Sequence, residues 1–206
     1  LGFAGLLGCG RTETMQLVEH LKQTEPELVA DAIPNVVSYG VLEKILRALL
    51  KEGIPIRDLG LIMEAIVDAG PNQNVDTVTE QIRGRLSRTI TRRFCDNGQL
   101  RVVTLDAEVE KKILAALTKN DQGVYLALSP DIMQQIMAQL GELRKKFQEL
   151  SQTPIVLTSQ IIRVYLSRMI AQFYPDIYVL SFNEITSNVQ IQAIGNITMQ
   201  SPAKPA

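Results

Sequence analysis

The glycine-rich start of the chain comes nearest to a known chemistry in residue type and spacing. Residues 5–12 read GLLGCGRT, which fits the phosphate-binding P-loop pattern except that Arg11 replaces its lysine. Asp106, directly after a strand-like run, resembles a magnesium-binding aspartate. A P-loop needs a buried strand before it, and a guanidinium does not reproduce a compact ammonium. Both departures argue against a P-loop. A small phosphate-binding enzyme built on Gly5–Thr12 is kept as the alternative function from a different class.

Acid–base and nucleophilic chemistry have little support in the remaining residues. The carboxylate pairs Glu25/Glu27 and Glu108/Glu110 are two residues apart, a spacing that points to different faces of a helix. His20 is the single histidine of the chain, and no nucleophile motif such as G-x-S-x-G accompanies it. We predict no catalytic residue, no metal ligand and no bound cofactor, and hence a protein that is not an enzyme.

The composition excludes several classes of partner and of chain. The 206 residues carry a net charge of −1, so no long-range field directs the whole molecule toward nucleic acid. Hydrophobic residues make up 46%, which favours folded Leu/Ile/Val cores. The two cysteines lack metal-ligand spacing. No apolar run reaches the roughly 20 residues of a membrane-spanning helix. Without an initiator methionine, the sequence is expected to be a piece of a larger protein.

One basic surface is predicted from helical periodicity. Arg85, Arg88 and Arg92 lie along one flank of a predicted helix that starts near Asp76 or Thr77. Nucleic-acid binding would need more basic surface with interleaved aromatic residues, which this chain lacks. Two interpretations stay open for the three arginines. They form either a solvated helix flank or a protein–protein contact, in which arginine is favoured.

The pattern of elements predicts a helical subdomain followed by a small mixed α/β subdomain, an α+β or α/β fold. Helical periodicity runs from Arg11 to Phe94, and Asp96-Asn97-Gly98 is a turn signal that marks the boundary. Beyond it, strand-like runs alternate with amphipathic segments, as in layered α/β domains. The predicted elements are a strand at 100–105, a helix at 107–117, a strand or extended loop at 123–128, a helix from Ser129-Pro130-Asp131, buried strands at 154–158 and 177–182, a helix at 161–173 with Phe173 on its buried face, and an edge strand at 189–193.

A series of segments, in order, resembles the FlhA/InvA-type export-gate family (FHIPEP) of flagellar and type III secretion systems. The match covers roughly residues 10–199, and its closing Ile194-Gly195-Asn196-Ile197 is more similar to the flagellar branch than to the virulence branch. The segments are GRTET (10–14), VADAIPNVV (29–37), LRALLKEGIPIRD (46–58), IMEA (62–65), EQIRGRLSRTI (80–90), VTLD (103–106), PIVL (154–157) with Ile162-Arg163, and VLSFNEI (179–185).

The resemblance implies a fold and a division of the chain. Family members have an N-terminal membrane part and a cytoplasmic part of four subdomains that forms a nine-membered ring. This chain resembles the third subdomain over residues 10–97 and the fourth over residues 98–199. Residues 1–9 are an unmatched lead-in and residues 200–206 a flexible tail. The family's main docking groove for chaperone–cargo complexes lies in the first two subdomains, so none of its residues is assigned here.

The resemblance also implies a function, partners and a location. It implies a non-enzymatic cytoplasmic portion of a flagellar protein-export gate that contributes to ring assembly and to handling export substrates and chaperones. The alternative within the family is the export gate of a virulence-type secretion system. The implied partners are other copies of the chain, export-machinery components and chaperone–cargo complexes, without nucleic acid. The implied location is the cytoplasmic face of the bacterial inner membrane, reached through an N-terminal membrane region absent from this sequence.

Overall fold

A computed structural model describes residues 9–199, which divide into two compact units with the boundary in the chain between Arg93 and Phe94. In those residues a helical unit is followed by a mixed α/β unit, which confirms the predicted fold class. The helices are α1 (Arg11–Lys22), α2 (Pro26–Ala32), α3 (Tyr39–Lys51), α4 (Leu59–Ala69), α5 (Val75–Arg85), α6 (Ser87–Phe94), α7 (Ala107–Ala115), α8 (Pro130–Glu149) and α9 (Gln160–Ala171). The strands are β1 (Gln99–Leu105), β2 (Leu117–Asn120), β3 (Gly123–Leu126), β4 (Ile155–Thr158), β5 (Tyr178–Ser181) and β6 (Gln190–Ile197).

Side-chain caps fix where α3, α4 and α5 begin. The Ser38 hydroxyl accepts the Val41 amide at 3.1 Å, and the Asp58 carboxylate accepts the Leu61 amide at 3.2 Å. Each cap satisfies one of the amides that the first helical turn leaves without a partner. The Asn74 side chain accepts the Asp76 amide in the same way, at 2.8 Å.

Gly53 ends α3 in a Schellman motif. Its φ of 75° is a conformation that glycine adopts without strain. The Gly53 amide donates to the Leu50 carbonyl at 3.0 Å, and the Ile54 amide donates to the Leu49 carbonyl at 2.9 Å. Leu49 and Ile54 are both fully buried, so the turn adds an apolar contact to the hydrogen bonds.

The core of the helical unit lies between α3, α4 and α5. α4 packs against both α2 and α5, and α3 packs against α1 and α5. Apolar residues recur at helical spacing on the facing sides, and each such residue fully buried contributes about 1.5–3 kcal/mol by leaving water. The fully buried members include Leu42, Ile45, Leu46, Leu49, Ile62, Met63, Ile66 and Ile82.

The second unit is built on a four-stranded sheet in the order β5-β4-β1-β6. Every neighbouring pair in it is parallel, and the connections from β1 to β4 and from β4 to β5 are crossovers that carry helices. α9 packs against β5 and α8 against β6, while α7 packs against α9. β6 lies at one edge and is mostly exposed, as its alternating sequence predicts.

Three details of the sequence-based prediction are wrong. The helix predicted through Leu117 ends at Ala115, and Leu117 begins an antiparallel hairpin of β2 with β3. Phe173 is 49% exposed, because α9 ends at Ala171 and the phenylalanine lies beyond the helix. The helix predicted to carry all three candidate arginines is two helices, because Leu86 leaves the helical conformation between α5 and α6.

Gly195 permits the close packing of β6 on α8, and an added side chain there should destabilise the α/β unit. A Cβ at this position would overlap the buried Leu143 side chain, which would have to leave its present rotamer. We expect Gly195→Ala to lower the free energy of unfolding by about 1–3 kcal/mol, the usual effect of overpacking a core.

Chemical denaturation of Gly195→Ala, Leu143→Ala and the double variant measures this overlap. Since Leu143→Ala removes the atoms that clash, the double variant should be more stable than the sum of the two single effects predicts. Strict additivity of the two substitutions would show that Leu143 does not limit the space at residue 195.

Candidate functional site

Arg85 is the member of the predicted basic surface that is bound to its own unit. It ends α5 and reaches α4, where Nη1 lies 2.8 Å from the Asp68 carboxylate and Nη2 lies 3.6 Å from the Glu64 carboxylate. All three side chains are substantially exposed, so each ion pair contributes about 0–1 kcal/mol. Arg85 is therefore an exposed cation that is held only weakly by ion pairs within its own unit.

Arg88 and Arg92 lie one turn apart on α6, and both are exposed. Within residues 9–199, neither side chain makes a hydrogen bond, an ion pair or a ring contact. Two like charges at this spacing repel each other and slightly destabilise the helix that carries them. The two side chains are therefore available to an anionic partner, while Arg85 is already paired.

Arg83 lies two residues before Arg85 but is buried, with 1% of its side chain exposed. Its Nη1 is 3.6 Å from the Glu52 carboxylate at the end of α3, which is itself 23% exposed. Sequence periodicity did not separate this arginine from its exposed neighbours. Thr79, four residues earlier, is also buried, so the buried stripe of α5 is wider than its apolar residues alone indicate.

A second buried arginine lies in the α/β unit. Arg163 on α9 is fully buried and donates from Nη1 to the Val179 carbonyl at 2.9 Å. Its Nε lies 3.8 Å from the carboxylate of Glu184, which is also buried and lies in the 3₁₀ turn Phe182–Glu184 after β5. Neither residue has a role predicted from the sequence, although both lie in segments that carry the family resemblance.

In the described part of the P-loop-like stretch, the groups that would bind a phosphate already bind side chains of the protein itself. Residues 5–8 lie outside the described range, while Gly10 immediately precedes α1. The Gly10 amide donates to the Glu13 carboxylate at 2.9 Å, which places a negative charge where a phosphate would approach the helix. Arg11 forms an ion pair with Glu43 at 3.1 Å.

The polar groups at the carboxyl ends of the parallel strands bind one another. In open α/β sheets this edge is where ligands bind. Here the Asn196 amide donates to the Asp106 carboxylate, and the Thr104 hydroxyl donates to the Asn196 side-chain oxygen at 2.9 Å. Glu110 accepts the Thr158 hydroxyl at 2.8 Å. In the range 9–199, no three His, Cys, Asp or Glu side chains are grouped to hold a metal ion.

The exposed face of α1 carries the chain's single histidine. His20 lies with Met15 along a shallow depression on this helix, and both side chains are exposed. Lys22 lies two residues after His20. A hydrogen bond to Glu19 raises the pKa of Lys22 above its ordinary value, with a smaller contribution from Tyr39. All of the residues that line the depression are exposed, as on a solvated helix surface.

A groove in the α/β unit exposes apolar side chains. It has a volume of about 280 Å³ and lies between β3, the start of α8 and α9. Tyr125 is 45% exposed and Val124 38% exposed at its rim.

Among the described residues, no helix combines the length and apolar character needed to cross a bilayer.

Comparison with known sequences gives one consistent result. A model of the FHIPEP family matches residues 4–190. The chain is 38% identical over 188 residues to the flagellar biosynthesis protein FlhA of Bacillus subtilis, covering 90% of this chain and 28% of that protein. It is 31% identical over 193 residues to the invasion protein InvA of Salmonella typhimurium, covering 91% of this chain and 27% of that protein. The chain thus spans little more than a quarter of the length of these relatives.

Solved structures share the fold. The Chlamydia pneumoniae CdsV protein superposes with a TM-score of 0.83 at 30% identity, covering 92% of this chain and 55% of that one. A complex of CdsV with CdsO gives a TM-score of 0.80 at 29% identity, covering 93% and 56%. The nonameric cytosolic domain of EscV, from a type III secretion system, gives 0.79 at 27% identity, covering 93% and 57%.

Proposed function

Because this chain belongs to the FHIPEP family of type III export-gate proteins, we propose that it is a non-enzymatic, cytoplasmic portion of a protein-export gate. Two roles are proposed for it: building a ring with other copies, and helping to handle export substrates and their chaperones. The observation that carries the proposal is its likeness, over 93% of its length, to a cytosolic domain solved as a nonamer. The cytoplasmic face of the bacterial inner membrane is the proposed location.

The flagellar branch of the family is the proposed one. Identity reaches 38% with the flagellar protein of Bacillus subtilis, against 31% with the invasion protein of Salmonella typhimurium. The virulence-type export gate is the alternative, since the solved neighbours include the domain of a type III secretion system. Restoration of swimming, but not of effector secretion, by the full-length protein in strains lacking each gate would support the flagellar assignment.

We assign ring contacts to the helical unit through Arg85, Arg88 and Arg92. All three are exposed cations, and Arg88 and Arg92 have no ion-pair partner among the described residues. Arginine is enriched at protein interfaces, where its planar guanidinium can form a bidentate pair of hydrogen bonds with a carboxylate. A neighbouring copy is the proposed source of those carboxylates.

Reversing these three charges should disrupt ring assembly without unfolding the protein. In the full-length protein, Arg85→Glu/Arg88→Glu/Arg92→Glu is expected to lower the fraction of protein in rings at least about 10-fold, because like charges would face each other across the interface. Electron microscopy and mass measurement of the detergent-solubilised protein count the rings. Circular dichroism checks that the helices remain.

A control of equal charge change comes from the other unit. Lys111→Glu/Lys112→Glu/Lys119→Glu replaces three exposed lysines and is expected to leave ring formation unchanged. Rings at the wild-type level in the arginine variant would refute the assigned contact. Equal loss in both variants would show a general effect of net charge, which would also refute it.

A further inference from the structure

The exposed face of α2 carries two carboxylates that have no partner. Glu27 and Asp31 are both exposed and are separated by four residues, so they lie one turn apart on the same face. Among residues 9–199, neither makes an ion pair or a hydrogen bond through its side chain. As with Arg88 and Arg92, two like charges at this spacing repel each other and act against the helix that holds them.

The two unpartnered pairs match in spacing and are opposite in charge. Side chains four residues apart on a helix have Cβ atoms about 5–6 Å apart, so Glu27/Asp31 and Arg88/Arg92 present charges at the same interval. Two helices laid side by side could therefore form two ion pairs at once. Each pair would relieve the repulsion within the other helix.

The two charge pairs do not bind each other within the described residues of one copy. α2 packs against α1 and α4, whereas α5, joined to α6 through Leu86, packs against α3 and α4. In the part of the chain that the structure describes, no ion pair joins α2 to α6. The two charge pairs are thus available for contacts between copies.

A ring with an odd number of subunits requires two different surfaces on each copy. A nine-membered ring is built from head-to-tail contacts, in which one surface of a subunit meets a different surface of the next. The EscV cytosolic domain, which shares this fold, is nonameric. A head-to-tail contact joins surfaces of complementary charge and so matches the two pairs described above.

We propose that Glu27 and Asp31 on α2 of one copy bind Arg88 and Arg92 on α6 of the next copy in the ring. The occupant of the acidic face is a second copy of this chain. The inference rests on the proposed function, since it names the counterpart of the arginine surface in the assembly.

Charge exchange in the full-length protein tests the pairing. Glu27→Arg/Asp31→Arg and Arg88→Glu/Arg92→Glu are each expected to reduce ring formation at least about 10-fold. The variant that carries all four substitutions restores the complementarity and should form rings within about twofold of wild type. Lys44→Glu/Lys51→Glu, on exposed lysines of the same unit, is the matched control and should leave rings unchanged.

Disulfide trapping gives a direct second readout. With Cys9 and Cys95 replaced by serine, Asp31→Cys/Arg92→Cys should yield a ladder of covalently linked copies under mild oxidation. Asp31→Cys/Lys44→Cys should yield none above background.

The outcomes separate this inference from the proposed function. If the arginine variant loses its rings while the α2 variant keeps them, or if the fourfold variant stays unassembled and no ladder forms, the pairing is overturned and ring assembly stands. If the arginine variant keeps its rings, the assigned assembly surface itself is overturned.

Discussion

Replacing Arg163 by alanine is expected to lower the free energy of unfolding of the α/β unit by about 3–5 kcal/mol. The guanidinium is fully buried and bridges three elements of this unit. It donates to the Val179 carbonyl of β5 at 2.9 Å and lies 3.8 Å from the Glu184 carboxylate, while it is itself held by α9. Removing it leaves the buried Glu184 charge without its cationic partner, which is the costly part of such a substitution.

Local measurements suit this prediction, because a chain of two compact units need not unfold in a single transition. Hydrogen exchange of the β5 amides should accelerate in Arg163→Ala, while the amides of α3 keep the wild-type rate. Arg168→Ala, at an exposed arginine on the same helix, is the control and should change stability by at most about 1 kcal/mol.

A second substitution isolates the role of the charge pair. Arg163→Met/Glu184→Leu removes both charges and keeps much of the apolar volume, and we expect it to recover at least half of the lost stability. Equal effects of Arg163→Ala and Arg168→Ala would contradict the prediction. They would show that Glu184 is compensated by other groups.

Elements whose limits are set by neighbouring residues could be predicted from the sequence. Gly53 and Gly70 end α3 and α4 with positive φ angles, and Ser38 supplies a cap from a position next to its helix. The alternation of β6 likewise marks it as an edge strand. Each of these signals acts within a few residues, so no knowledge of tertiary contacts is needed.

Elements that depend on distant packing could not be predicted. The four residues of β2 include Lys119 and Asn120 and lack the β-branched alternation of a strand, and they become one by pairing with β3. The interruption at Leu86 follows Gly84, but a single glycine inside a helical pattern does not by itself predict a break, and Leu86 is itself buried. Packing decides both features, and the local sequence carries little of that information.

The same limit applies to the candidate site. Periodicity correctly separates Arg88 and Arg92 from the apolar stripe of their helix, since both are exposed. It does not show that Arg83 and Arg163 are buried, because their partners lie 31 and 21 residues away in sequence, at Glu52 and Glu184. These four arginines thus fall into two classes, since Arg83 and Arg163 hold the fold while Arg88 and Arg92 face outward.

Arg83→Ala tests that division in the helical unit. We expect it to lower the free energy of unfolding of this unit by about 2–4 kcal/mol. The expected loss is smaller than for Arg163, because Glu52 is 23% exposed and water can solvate it when the guanidinium is gone. The substitution also removes the packing of the Arg83 side chain, only 1% of which is exposed to solvent. Arg83→Met keeps most of that packing and should recover part of the stability.

Arg85→Ala, two residues further along α5, is the matched control and should cost at most about 1 kcal/mol, since its ion pairs are exposed. Urea denaturation followed through α3 amide exchange measures both. If Arg83 is structural, Arg83→Ala lowers ring formation only under conditions where the helical unit unfolds, whereas reversing Arg88 and Arg92 lowers it in a fully folded protein. Ring loss in a stable Arg83→Ala protein would instead place this buried arginine in the assembly contact, against its position between α5 and α3.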